Sequence, residues 1–347
     1  MPIRVAINGF VRIGRSFLRI VEDNPWIEVV AVNDLSDVEN LAYLLKYDSA
    51  YGKAPFEVGT RKDDWRTLLT VNGRDLTVYM EKDPTKLPWA ELQVDVVVEA
   101  TGVFREYTKA KMHLDAGAKR VVISAPAKGE PSAANITGAT SLMGINEDVL
   151  STCDISSNGS CTTNGASPVI EILHETIGVE KAMLNTIHAY TATQSTVDVP
   201  SKDYRKGRAA AQNIIPSTTG AATAVTEVIT DLKGKFDGIA MRVPVIAGSM
   251  ADITFIAKRP TSVEEVNGIL RLAAEDERWK KVFTASSDPL VSSDILGEPY
   301  ASIADLGMTR VVDGNLVKVC AWYDNEMGYT FSLVEHVLKT GGYITTK

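Results

Sequence analysis

Apolar positions at the start of the chain form a short continuous run, Ile3 to Asn8, broken at Gly9. From Val11 to Val21 they recur at helical spacing through Phe17, Leu18 and Val21. The pattern predicts strand, glycine turn and helix. A second run, Ile27 to Val32, ends in Asn33 and Asp34, so an acidic residue stands about 20 positions beyond the turn, as in a dinucleotide-binding unit. Val38 to Leu45 places Val38, Leu41, Ala42 and Leu45 on one helical face, and Thr67 to Met80 alternates around Asn72-Gly73, a hairpin signal. Asp95 to Glu99 and Arg120 to Ser124 read as buried strands, the second preceded by a helical segment that Gly117 closes.

Past Cys161 the pattern changes. Long strands are predicted over Lys181 to Tyr190, Gly238 to Val245 and Ala251 to Ala257, with one amphipathic helix behind a capping box from Ser262 to Glu265. This implies a mixed or antiparallel sheet. Thr191 to Thr219 carries little periodicity and reads as a long functional loop. A last strand, Leu316 to Tyr323, and a helical stretch near Thr330 to Lys339 close the chain. The expected fold class is α/β, with a Rossmann-type doubly wound dinucleotide-binding domain over 1–159, an α+β domain over 160–323, and a C-terminal helix within 324–347 packing back on the first domain.

The length of 347 residues agrees with two domains. A formal charge of −8 argues against a nucleic-acid partner, because phosphate backbones are bound by an excess of Lys and Arg. No apolar run of about 18 residues and no leader-like start occurs, so the expectation is a cytoplasmic protein without membrane contact. Cys153, Cys161 and Cys320 lack metal-type spacing, which favours free thiols and no metal.

Candidate chemistry centres on SNGSCTTN, Ser157 to Asn164. At the opening of a helix the Cys161 thiol would feel the positive end of the backbone dipole, which predicts a lowered pKa and a nucleophile. Ser160, Thr162 and Thr163 could cap that helix or bind an anion. Thr101, Gly102 and Ser124 follow strand ends and are candidates to line a cofactor cleft. Asp34 would accept from the ribose hydroxyls and repel a 2′-phosphate, favouring NAD over NADP. The glycine pattern Gly9 to Gly14 carries Val11 where the second glycine is expected.

Taken together, INGFVRIGR, VND, VEATGVF, ISAPAK, SNGSCTTN, TIHAYTATQ, NIIPSTTGAA, MRVPV and AWYDNEMGY resemble the phosphorylating glyceraldehyde-3-phosphate dehydrogenases in order and spacing, over essentially the whole chain. The resemblance implies NAD-dependent oxidation and phosphorylation of glyceraldehyde 3-phosphate through a cysteine thioester, and a homotetramer in which the loop from about Tyr190 to Asn213 approaches a neighbour's cofactor. It implies Cys161 as nucleophile and His188 as base. Thr191 and Arg242 are implied for the substrate's phosphate, and Ser160, Thr162, Arg205, Thr219 and Gly220 for the attacking inorganic phosphate. Arg12, Ile13, Lys82, Asn325 and Tyr329 join Asp34 in the implied cofactor set. The pair Val199-Pro200 resembles that of NAD-using members. Gly165 and Met327 depart from the family pattern, where a cysteine and a tryptophan are usual, and Thr193 stands where an acidic residue is common in bacterial-type members. A relative acting on a longer aldose phosphate and a redox-sensing nucleotide-binding protein remain open as other readings.

Overall fold

The computed structural model describes residues 1–63 and 66–345 and divides into two compact units. The first comprises Met1–Ser141, Asn146–Gly159 and Leu333–Lys347; the second comprises Leu142–Ile145 and Ser160–Ser332.

In the first unit β1 (Ile3–Asn8), α1 (Arg12–Val21), β2 (Ile27–Asn33) and α2 (Val38–Lys46) follow the expected order. After them come a small ribbon, β3 (Tyr47–Asp48) and β4 (Gly52–Lys53), then β5 (Val58–Asp63), β6 (Arg66–Val71) and β7 (Arg74–Tyr79). The set continues with β8 (Val96–Glu99), α3 (Tyr107–Asp115), β9 (Arg120–Ile123), β10 (Gly138–Thr140) and β11 (Ile155–Ser157). Nine strands make one sheet in the order β10-β11-β9-β8-β1-β2-β7-β6-β5, parallel except for the edge formed by β5, β6 and β7. The period of two divides its interior. Val5, Ile7, Val29, Val32, Val96 and Val98 pack with residues of α1 and α2, whereas Ala6, Ala31, Val97, Val121 and Ile123 pack with Tyr107 and Ala110 of α3. Both faces are covered, as a parallel sheet requires. The hairpin at Asn72-Gly73 is present, and β5 pairs with it as a strand the sequence reading did not include.

The second unit contains α4 (Cys161–Thr176), β12 (Val179–Ala189), β13 (Ile215–Thr218), α5 (Ala221–Val228), β14 (Phe236–Val243), β15 (Ser249–Ala257), α6 (Val263–Glu275), β16 (Phe283–Ser286), β17 (Ser302–Val312) and β18 (Leu316–Tyr323). Its seven-stranded sheet runs β13-β14-β12-β15-β18-β17-β16 and is mixed: β12 pairs parallel with β14 and antiparallel with β15. The last helix, α7 (Met327–Thr345), begins three residues earlier than its periodicity suggested, and only from Leu333 onward does it belong to the first unit. Residues 346 and 347 of the expected C-terminal helical segment lie outside the described residues.

Two sequence expectations need correction. The unpatterned segment does not stay irregular to Thr219, because Ile215 to Thr218 form β13 against β14, so a polar edge strand was read as loop. The capping box at Ser262 is half made: Ser262 Oγ accepts from Glu265 N, but the Glu265 carboxylate turns to Arg259 and Thr261 instead of returning to the cap.

The turn between β1 and α1 depends on a close approach. A Cβ on Gly14 would lie 2.1 Å from the Gly9 carbonyl oxygen, a backbone atom that cannot move aside cheaply. Gly14→Ala is therefore expected to cost about 2 kcal/mol of stability, an overpacking penalty, read as a lower urea midpoint at unchanged slope.

Candidate active site

In the second unit the site starts from a helix terminus. Ser160 is the N-cap of α4: its Oγ accepts from Thr163 N at 3.0 Å, and Thr163 Oγ1 accepts from Ser160 N at 3.3 Å, a reciprocal capping box. This fixes the chain direction at Cys161, whose Sγ lies 3.4 Å from His188 Nε2 on β12. The parallel register of β12 and β14 sets His188 beside Arg242. Arg242 Nη1 reaches both His188 Nδ1, at 2.7 Å, and Ala189 O, at 2.9 Å. Ala189 O also lies 2.7 Å from Nδ1. A carbonyl can only accept and a guanidinium can only donate, so Nδ1 faces one group that favours its proton and one that favours its lone pair; the tautomer protonated at Nδ1 is the one that leaves a lone pair on Nε2 facing the thiol.

Burial lowers the His188 pKa to about 3, the neighbouring Arg242 charge acting in the same direction, so the imidazole is neutral. The thiol departs from expectation. Burial raises its pKa, and the Arg242 charge and the Thr162 N–H lower it by less. The sequence argument counted the helix end and omitted the water lost around the sulfur. The resting pair is therefore thiol and neutral imidazole, and Cys161 remains partly exposed for a reactant to approach.

Tyr323, which sequence reasoning missed, supports both groups. Its hydroxyl lies 3.0 Å from Thr162 Oγ1 and 2.6 Å from Thr186 Oγ1, and its ring meets the His188 ring edge-on at 5.9 Å. The same ring explains Gly165: a Cβ there would come within 2.6 Å of Tyr323 Cδ1. The departure of Gly165 from the family pattern was the available signal. Asn325 Oδ1 accepts from Gly248 N at 3.1 Å and from Ser249 Oγ at 3.0 Å, while Ser249 Oγ accepts from Ala189 N. Asn325 is thereby tied to the strand end that carries His188, and Tyr329 is buried at the start of α7.

The residues implied for anions are less closely gathered. Arg242 lines a cavity of about 70 Å³; Thr191, Arg205, Thr219 and Gly220 are not among its walls. Thr191 Oγ1 lies 3.0 Å from Thr193 Oγ1, Arg205 is exposed, and Thr219 with the N-cap Gly220 opens α5, Thr219 Oγ1 accepting from Ala221 N. Thr162 is buried, its hydroxyl engaged by Tyr323.

In the first unit a cavity of about 290 Å³ opens at the carboxyl ends of β1 and β2 and beyond β8, with Asp34, Lys82, Thr101 and Val11 on its walls. This is where strand order reverses about β1, the position at which such sheets bind nucleotides. Asp34 accepts from Phe10 N and Ser36 N, which holds its carboxylate in place. Beneath lies a buried network. Trp89 Nε1, a donor only, points at His113 Nδ1, so the His113 proton sits on Nε2 and is donated to Glu99 Oε2 at 3.1 Å. Glu99 also accepts from Asn8 Nδ2 and from the Thr101 N–H and hydroxyl. The donors, the ribose-type carboxylate and the location fit a dinucleotide. Arg12, Ile13, Gly102 and Ser124 do not line this cavity, and the Arg12 guanidinium forks onto Asp48.

Residues 3–107 match the family model described as glyceraldehyde 3-phosphate dehydrogenase, NAD binding domain, and residues 160–325 match the corresponding C-terminal domain. Among curated relatives, glyceraldehyde-3-phosphate dehydrogenase of Geobacillus stearothermophilus is 46% identical over 100% of this chain and 99% of the relative. That of Thermotoga maritima is 49% identical over 96% and 97%, and that of Streptomyces coelicolor 44% over 99% and 100%.

Buried neutral histidines carry a pH signature. His188 and His336 each have a folded pKa lowered to about 3 by burial. Between that value and about 6.5 the unfolded chain binds protons that the folded one does not, so stability is complete above pH 6.5 and is lost as pH falls. The expected slope near pH 5 approaches about 2.7 kcal/mol per pH unit for the two. His336→Gln should roughly halve it in urea titrations at pH 4.5 to 7.

Proposed function

The chain belongs to the glyceraldehyde 3-phosphate dehydrogenase family, whose NAD-dependent oxidation and phosphorylation of glyceraldehyde 3-phosphate it catalyses, and on that premise we propose how its own residues divide the work. Cys161 is the nucleophile. As Sγ attacks the aldehyde carbon, its proton passes to His188 Nε2, 3.4 Å away, and a tetrahedral hemithioacetal forms. Starting as thiol and imidazole, the pair needs only this one transfer to make the thiolate at the moment it is used. His188 hands that proton to the new alkoxide to give the hemithioacetal hydroxyl, and as a neutral imidazole takes it back while the carbon loses its hydride. Asp34, Lys82 and Thr101 would hold NAD, which would accept that hydride, and Asn325 and Tyr329 join the cofactor set by family position. The product on Cys161 is a thioester. Inorganic phosphate attacks it, the bond to sulfur breaks, and 1,3-bisphosphoglycerate leaves as Cys161 regains a proton.

The single observation that carries this reading is the 3.4 Å contact between a partly exposed cysteine at a helix opening and a neutral histidine. The remaining assignments, Arg12 and Ile13 at the pyrophosphate, Gly102 and Ser124 along the cofactor, and Ser160, Thr162, Arg205, Thr219 and Gly220 around the attacking phosphate, follow family position. The exposed apolar side chains Val197, Val199, Tyr204 and Ile214 on the loop before β13 support a homotetramer in which they are covered. No helix among the described residues is long and apolar enough to cross a membrane; we place the enzyme in the cytoplasm.

Purified protein given glyceraldehyde 3-phosphate and NAD is expected to form NADH in steady turnover only when inorganic phosphate or arsenate is supplied. Cys161→Ser should abolish turnover while leaving NAD binding by calorimetry intact. Turnover retained by that variant, or NADH formed equally without phosphate, overturns the assignment.

A further inference from the structure

The turn between β1 and α1 keeps two of the three glycines that a dinucleotide fingerprint calls for, and the structure separates their duties. Gly9 has φ +95°, and a Cβ on it would lie 2.6 Å from the backbone nitrogen of Thr101. Gly14 packs against the Gly9 carbonyl. Both positions need glycine for the chain itself. Val11 does not: φ −82° and ψ −154° are extended backbone that any residue adopts. A glycine at this position serves the ligand instead, by letting a pyrophosphate come up to the backbone where the helix starts. Val11 is the N-cap of α1, 49% exposed, on the wall of the 290 Å³ cavity that also holds Asp34. Its side chain has no oxygen to cap the helix, and its two methyl groups are stiffly placed by branching at Cβ.

The charge beside that helix start is also engaged elsewhere. The Arg12 guanidinium forks onto Asp48 and lies 5.7 Å over the Tyr51 ring. The adenosine end of the cavity is better furnished, with the Asp34 carboxylate fixed by Phe10 N and Ser36 N, and exposed Leu35 and Val103 offering apolar surface on its walls. Resting on the dehydrogenase reading, we propose that Val11 is a specificity-determining residue of the cofactor site: it holds the pyrophosphate off the start of α1, so recognition is weighted toward the adenosine end and NAD is held more loosely than a glycine there would allow. The turn folds without that glycine, so the substitution acts on the ligand and spares the chain.

Calorimetric titrations of the full chain separate the two ends of the ligand. ADP-ribose carries adenosine and pyrophosphate without nicotinamide; adenosine lacks the phosphates. Val11→Gly is expected to tighten ADP-ribose and NAD about tenfold, the scale of one added hydrogen bond to a charged group, and to leave adenosine unchanged. Val11→Ala, which keeps Cβ and loses both methyl groups, should fall between wild type and the glycine variant. KM for NAD should fall in step with its Kd. Glycine is a better N-cap than valine, so the variant is expected to fold. An unchanged affinity for ADP-ribose overturns the proposal. An equal gain for adenosine does so too, because a better-capped helix, and not access to the backbone, would then be the cause. If the wild type forms no NADH from glyceraldehyde 3-phosphate, the dehydrogenase reading fails instead, and the ADP-ribose titrations still decide the role of Val11.

Discussion

Removal of water from the Cys161 and His188 pair is the constraint around which the second unit is arranged. In solution the imidazole would charge in part near neutral pH; packed here against a half-exposed thiol, each is held neutral, the thiol by a raised pKa and the imidazole by a lowered one. Charge then appears only when a proton crosses 3.4 Å from sulfur to nitrogen as a carbon–sulfur bond forms. Arg242 lowers both pKa values, favouring the thiolate while opposing an imidazolium. The capping box at Ser160, the carbonyl of Ala189 and the register between β12 and β14 all fix the geometry of that one transfer.

Much of this was legible in the sequence because it rests on local rules. The run Ile3 to Asn8, the break at Gly9 and the acidic end of the next strand specify a βαβ unit through periodicity and turn chemistry alone, and the structure forms it in the expected order. Asn72-Gly73 likewise announces its own hairpin. Cys161 at a helix opening could be read from the hydroxyls on either side of it.

What was not legible depends on tertiary neighbours. The sign of the Cys161 shift reverses because desolvation is a property of everything packed nearby, which no eight-residue stretch encodes. Strand β13 was missed because a polar edge strand has no apolar alternation to reveal it. Tyr323 stands more than 130 residues from either threonine it bonds, so its role could not come from spacing. The cavity beside Arg242 gathers Lys206 and not its neighbour Arg205 because the loop presents one side chain inward and leaves the other outside, a matter of backbone path.

The Tyr323 hydroxyl is shared between the helix that starts at Cys161 and the strand that holds His188. Sulfur and imidazole are thus mounted on one bracket, and their spacing is insulated from sway in the loops around them. Loss of that single hydroxyl would remove one tie from the helix and one from the strand at once.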